Sequence, residues 1–269
     1  MKRIVIISLA CLYVISVSCS VADNLVTPNN ATNRIGQADV FCPTDNEQAK
    51  QFYNDAIIMQ ERGKYSEAKQ LFLKAIELDP LYCDAMDNLG QMLRSQGNVE
   101  EAITWYTKSI EIYPSNIVAH QNLAVAYRAQ GDFDSALEEG QLLVDMDPDN
   151  PEGYYGLGMS YLSINEPQEA LTHLKEAEEF YRRNSSPYVT DARYLIGVAH
   201  YMLENCEQAI DYFESVYSDM RLNPEINYIL GLCYLTPQLE NMELSKKYLS
   251  RAQELGKQIP EDVFEQIEE

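Results

Sequence analysis

A 34-residue period runs along this 269-residue chain and constrains its fold more than any other feature. Ala56, Gly90, Ala124 and Gly158 stand 34 apart, and Ala68, Ala102, Ala136 and Ala170 follow them by twelve. Gly63, Gly97 and Gly131 keep the same step, as do Pro80, Pro114 and Pro148. A period in this range signals stacked supersecondary units, each needing its neighbour to cover its apolar face.

The residue types say what each unit is. Small residues at the eighth and twentieth places let two helices approach closely, and large apolar residues at i, i+3 and i+4 fill the space to the next helix. Glycine at the fifteenth place can take the left-handed conformation that stops a first helix. Asp79-Pro80 and Asp147-Pro148 stop a second one, because the residue before proline is pushed out of the helical region. With Leu89-Gly90, Gly97, Ala102, Tyr106 and Pro114 in the clearest unit, the pattern resembles the tetratricopeptide repeat (TPR). The resemblance runs from Ala49 to Gly256 and implies an all-α, right-handed superhelical solenoid of about six helix-turn-helix units with a short C-terminal capping helix.

The units fall at about 49–82, 83–116, 117–150, 151–184, 190–223 and 224–259, within a solenoid spanning 45–259. Gly158 to Gly197 is 39 residues, and the five extra ones lie around Asn184-Ser185-Ser186-Pro187, a loop composition. Gly197 to Gly231 is again 34, before about two further residues near Thr236-Pro237-Gln238. Residues 260–269, with Val263, Phe264 and Ile267 on one side, read as the cap that a solenoid needs over its last core face.

Lys2 and Arg3 precede a 14-residue apolar run, Ile4 to Val17, too short for the roughly 20 residues of a spanning helix. Residues 1–19 therefore read as a signal peptide and 20–44 as a polar tether. Ser20-Val21-Ala22 suits ordinary cleavage before Asp23 and secretion. Ser16-Val17-Ser18-Cys19 instead resembles a bacterial lipobox, with Ser16 where leucine is typical, and makes Cys19 a lipidation site. The tether suits an anchored domain and favours the lipoprotein reading, in the periplasm or at the outer membrane. The formal charge of −22 argues against nucleic acid, whose binding rests on Lys and Arg, and favours neutral or basic partners.

No cysteine pair has the C-x-x-C spacing of a redox or zinc site. On stacked helix pairs, Cys42 lies before the first helix and Cys83 at the start of the third. Cys206 opens the second helix of the fifth unit, and Cys233 lies in the first helix of the sixth. Two disulfides, Cys42–Cys83 and Cys206–Cys233, are one reading; four free thiols acting as small hydrophobes are the other.

The resemblance also implies a function. In TPR proteins the first helix of each unit lines a concave groove, with its second, fifth, sixth, ninth and twelfth places facing inward. The sixth places are Asn54, Asn88 and Asn122, a ladder of amides able to grip an extended backbone. Gln121 and Arg128 extend the polar half of that groove. Tyr155, Tyr194 and Tyr228 at fifth places, with Met159, Val198, Leu232, Leu162 and Tyr201, compose an aromatic half. The implied role is a non-catalytic scaffold or adaptor that holds a protein or peptide; self-association into a homo-oligomer without a peptide ligand is the alternative.

No metal or cofactor site is expected. His120, His173 and His200 lack a two-histidine metal spacing, and no phosphate loop, G-x-S-x-G elbow or zincin motif occurs. Asp145, Asp147, Asp149 and Asn150 alternate as calcium ligands do, but lack the glycine and the distant glutamate and are interrupted by Pro148. They read as a junction between units.

Overall fold

A computed structural model describes residues 42–268, without the side chains of residues 264, 267 and 268. The segment read as a signal peptide, Cys19, and the residues read as a tether as far as residue 41 lie outside the described residues. Thirteen helices and no strand occur among the described residues, and none of the helices is long and apolar enough to cross a membrane. In chain order they are α1 (Glu47–Glu61), α2 (Tyr65–Leu78), α3 (Cys83–Ser95), α4 (Val99–Ile112), α5 (Ile117–Gln130), α6 (Phe133–Met146) and α7 (Pro151–Ser163). Then follow α8 (Pro167–Arg183), α9 (Val189–Met202), α10 (Cys206–Met220), α11 (Pro224–Tyr234), α12 (Met242–Glu254) and α13 (Glu261–Glu268).

Each turn inside a helix pair repeats one geometry. Gly63, Gly97 and Gly131 have φ of 71°, 81° and 83°. The residue after the left-handed position donates back to the helix: Asn98 N to Leu93 O at 2.9 Å and Asp132 N to Tyr127 O at 2.9 Å. These are the bonds that satisfy orphan carbonyls at a helix end. Later pairs keep the turn without glycine. Asn165 (φ 63°) and Glu204 (φ 61°) occupy the same place, with Glu166 N to Tyr161 O and Asn205 N to His200 O both at 2.9 Å.

Helix starts are capped by side chains. Asn46, Asn116, Asp132, Asn223 and Asn241 accept from backbone N–H groups in the first turns of α1, α5, α6, α11 and α12. Asn46 also donates from Nδ2 to Leu78 O at 3.1 Å, which ties the start of α1 to the end of α2. Asp79 and Asp147, each before a proline, stand just past the ends of α2 and α6.

The chain divides into two compact bodies, one from residue 22 to 156 and the other from residue 157 onward. In the first, α1 packs on α2, α3 on α4 and α5 on α6. Its core carries the small residues Ala56, Ala68 and Ala102 against Phe72, Leu89 and Tyr106. In the second, α9 packs on α10 and α11 on α12 around Ile196, Phe213, Leu230 and Leu249. Ser245 takes the place held elsewhere by alanine, and its buried hydroxyl donates to Gly231 O at 2.9 Å. On α13, Val263 is buried; the side chains of Phe264 and Ile267 lie outside the described residues.

Candidate functional site

The inner helices of the first body bring several sequence-selected residues together. Asn88 on α3 donates from Nδ2 to the Tyr53 hydroxyl on α1 at 3.1 Å and to the Asp84 carbonyl at 2.8 Å. Asn54 is exposed, Gln121 is half-buried and Asn122 is buried, and none of their side chains makes a hydrogen bond among the described residues. The asparagine ladder is thus graded in exposure rather than uniform. Arg128 is 4% exposed and Tyr155 is half-buried, and both are engaged within the protein.

Below this face lies a buried polar network. Asn116, the cap of α5, donates from Nδ2 to Asp87 Oδ2 at 2.7 Å and to Ser109 Oγ at 3.0 Å. Burial pushes the Asp87 carboxyl up to about 6, against the hydrogen bonds from Ser109 and Asn116 that favour its ionised form. Asp87 Oδ1 has no hydrogen-bond partner. His120 sits between Glu139 (Nδ1–Oε2 2.6 Å) and the Pro114 carbonyl (Nε2–O 3.0 Å). Burial disfavours its charge, but those two acceptors and Asp87 raise its pKa on balance. Both ring nitrogens therefore donate when it is protonated.

At the outer end of the same body, a hollow of about 460 Å³ opens beside α1 and α3. Tyr53 and Tyr82, with ring centroids 5.2 Å apart, give it an aromatic wall. Lys50, Asn54 and Asp84 supply its polar edge, and Pro43 and Thr44 its third side. Burial, and next the carboxylates of Asp84 and Asp87, push the Tyr53 hydroxyl up to about 12, so it stays protonated. Cys42 and Cys83 are joined by a disulfide, with Cα atoms 5.3 Å apart. That bond brings Pro43 and Thr44 to the hollow, and Cys42 N donates to Asp84 Oδ1 at 3.3 Å. Sequence reading overlooked Pro43, Thr44 and Tyr82; pairing Cys42 with the start of α3 was the signal that places them.

In the second body the aromatic half-groove is not formed. Tyr194 is 2% exposed and packs on Phe213 with ring centroids 6.0 Å apart. Tyr228 is 6% exposed and lies under the Lys257 ammonium at 5.1 Å. Met159, Leu162, Val198, Tyr201 and Leu232 are likewise buried. These residues are core: Phe213 of α10 packs on Tyr194, and Lys257, after α12, lies over Tyr228. Lys257 also pairs with Glu225 inside the body, their side chains 7% and 5% exposed. Of the two readings for Cys206 and Cys233, the free thiols are found: both are free and in hydrogen-bond contact, Cys206 at the start of α10 and Cys233 within α11. The contact lowers the Cys206 thiol and raises that of Cys233.

Family models described as tetratricopeptide repeat match residues 58–80, 81–149, 122–187 and 155–225, together an unbroken run from 58 to 225. The chain belongs to the tetratricopeptide-repeat family. Among solved structures, a chain of the APC/C hetero-tetramer Cut9–Hcn1 matches with a TM-score of 0.68 and 19% identity, over 82% of this chain. This chain spans 42% of the length of that one. MamA matches with a TM-score of 0.53 and 26% identity, over 62% of this chain and 93% of its own. YrrB, described as a TPR protein with an unusual peptide-binding site, matches with a TM-score of 0.53 and 23% identity, over 69% of this chain and 92% of its own. No curated protein matches the sequence. The TPR fold suggests a protein-binding scaffold, and among the described residues no three metal-ligating side chains cluster.

Proposed function

We propose that this TPR protein is a non-catalytic scaffold of the bacterial cell envelope that holds an extended segment of a partner protein against α1, α3 and α5. The observation that carries the reading is the row of amides at Asn54, Gln121 and Asn122 that make no side-chain hydrogen bond among the described residues, beside Asn88. An amide both donates and accepts, so such a row can bond a peptide backbone whatever its side chains. The peptide-binding site of YrrB is a fold-level parallel. The formal charge of −22 favours a partner that is neutral or basic overall. Export rests on Lys2, Arg3 and the apolar run Ile4–Val17, and anchoring on a lipid at Cys19.

Two measurements test this. Cross-linking pull-downs compare the full chain with an Asn54→Ala/Gln121→Ala/Asn122→Ala variant of unchanged helicity. Partners captured by the first and lost by the second support the reading; identical captures refute it. Labelled palmitate should enter the wild type and not Cys19→Ser, and its absence from both excludes the lipid anchor. Self-association without a ligand remains the second reading, and a concentration-dependent mass insensitive to the triple substitution would favour it.

A further inference from the structure

The hollow beside α1 is built differently from the rest of the inner face. Most of its apolar wall comes from Tyr53 and Tyr82, and one side from the arm that precedes α1. Lys50 at its edge is exposed and its ammonium makes no ion pair or hydrogen bond among the described residues, an unclaimed cation in a strongly acidic chain. Next to it, Asn54 offers an unclaimed amide one helical turn further along α1. An apolar wall, one free amide and one free cation, beside an Asp84 carboxylate already engaged by Cys42 N, match a short extended peptide: side chain on the tyrosines, backbone on Asn54, carboxylate on Lys50.

The arm is held chiefly by one covalent bond. Residues 42–45 precede the first helix and lie outside any helix hydrogen-bond ladder. Among the described residues, its other ties are the 3.3 Å bond from Cys42 N to Asp84, the 3.3 Å contact of Cys42 Sγ with Leu81 O, the 3.0 Å bond from Asn46 N to Thr44 Oγ1, and the burial of Thr44. Each hydrogen bond is weak net of water's competition, so the disulfide is the strongest tie of the arm to α3. Without the disulfide the covalent tie to α3 is gone, and Pro43 and Thr44 stay at the hollow only through those weaker contacts.

We infer that this hollow is a peptide subsite, complete only while Cys42 and Cys83 are joined, for an extended segment that carries an acidic side chain beside an apolar one. It rests on the peptide-binding reading above and adds to it a place, a ligand chemistry and a redox requirement. A dithiol opens the site by thiol–disulfide exchange: one thiolate attacks a cysteine sulfur, and the second then displaces the mixed disulfide. Two electrons and two protons pass to Cys42 and Cys83, and the dithiol leaves as a cyclic disulfide.

The test pans a phage-displayed random heptapeptide library on the oxidised full chain, then measures synthetic copies of the enriched peptides by fluorescence anisotropy. The expected result is enrichment of Asp or Glu beside an apolar residue. Affinity should fall at least tenfold after reduction with dithiothreitol, and equally in Lys50→Glu, with helicity unchanged. If reduction also lowers helicity, the oxidised Lys50→Glu protein decides the matter. Enriched peptides that ignore both changes but weaken with Gln121→Ala/Asn122→Ala overturn the subsite and leave the general reading standing. No enrichment at all overturns both.

Discussion

The Tyr106 ring of α4 fills the place where a side chain at Gly90 of α3 would stand: a Cβ built there comes within 2.6 Å of Cε1. The same relation recurs at Gly197 with Phe213 (2.7 Å) and at Gly231 with Leu249 (2.6 Å). Tyr106 is fully buried among Leu89, Leu93 and Ala102, so it has no room to retreat. Gly90→Ala should therefore destabilise the protein by about 1–3 kcal/mol, the usual cost of overpacking, despite alanine's higher helix propensity. Urea unfolding checks it, and an unchanged midpoint would show that the two helices separate freely.

The turn between α9 and α10 keeps the geometry of its glycine counterparts with Glu204 at φ 61°. That conformation costs a side-chain-bearing residue roughly 1–2 kcal/mol, partly offset by the entropy glycine loses on folding. Glu204 is exposed. Glu204→Gly should raise stability by about 0.5–1 kcal/mol, read as a higher melting temperature.

Asp87 makes stability fall as pH rises. Its carboxyl is raised to about 6 in the folded chain, so the native state holds more protons than the unfolded one above pH about 4. The stabilisation is complete below that pH and is lost as pH climbs through about 6, a difference of about 3 kcal/mol. The raised His120 acts in the same sense above its ordinary range, being stabilising while protonated. Asp87→Asn should flatten the decline between pH 4 and 6 in urea midpoints taken across that window.

The disulfide spans 41 residues, and loop-closure entropy for that length suggests about 4 kcal/mol, with engineered cases often lower. Cys42→Ser/Cys83→Ser should lower the unfolding free energy by about 2–4 kcal/mol. Peptide mapping of the unreduced, denatured protein should find Cys206 and Cys233 alkylated, and Cys42 and Cys83 protected until reduction.

Glu225 and Lys257 form an ion pair inside the second body, with Lys257 over the Tyr228 ring. Removing one partner strands the other charge, so Lys257→Met should cost about 3–5 kcal/mol. Adding Glu225→Gln should recover much of that loss. Thermal melts of the single and double variants would reveal an additive pair if no recovery occurs.

The helix pairs, their turns and the close approach of Gly90 to the next helix were legible in the 34-residue period because they depend on neighbours a few turns away. Even the left-handed place persisted where glycine gave way to Asn165 and Glu204, since the helix-end bonds around it are backbone bonds. Exposure was not legible. Tyr155, Tyr194 and Tyr228 hold one place in the repeat, yet the first is half-buried and the others are core. Phe213 and Lys257 make that difference, and neither belongs to the tyrosines' own helices. Likewise, repeat register put Cys42 by Cys83 and Cys206 by Cys233, but only the first pair is bonded. Periodicity arises from local backbone and packing preferences, whereas the open surface is what remains after every distant side chain has been placed.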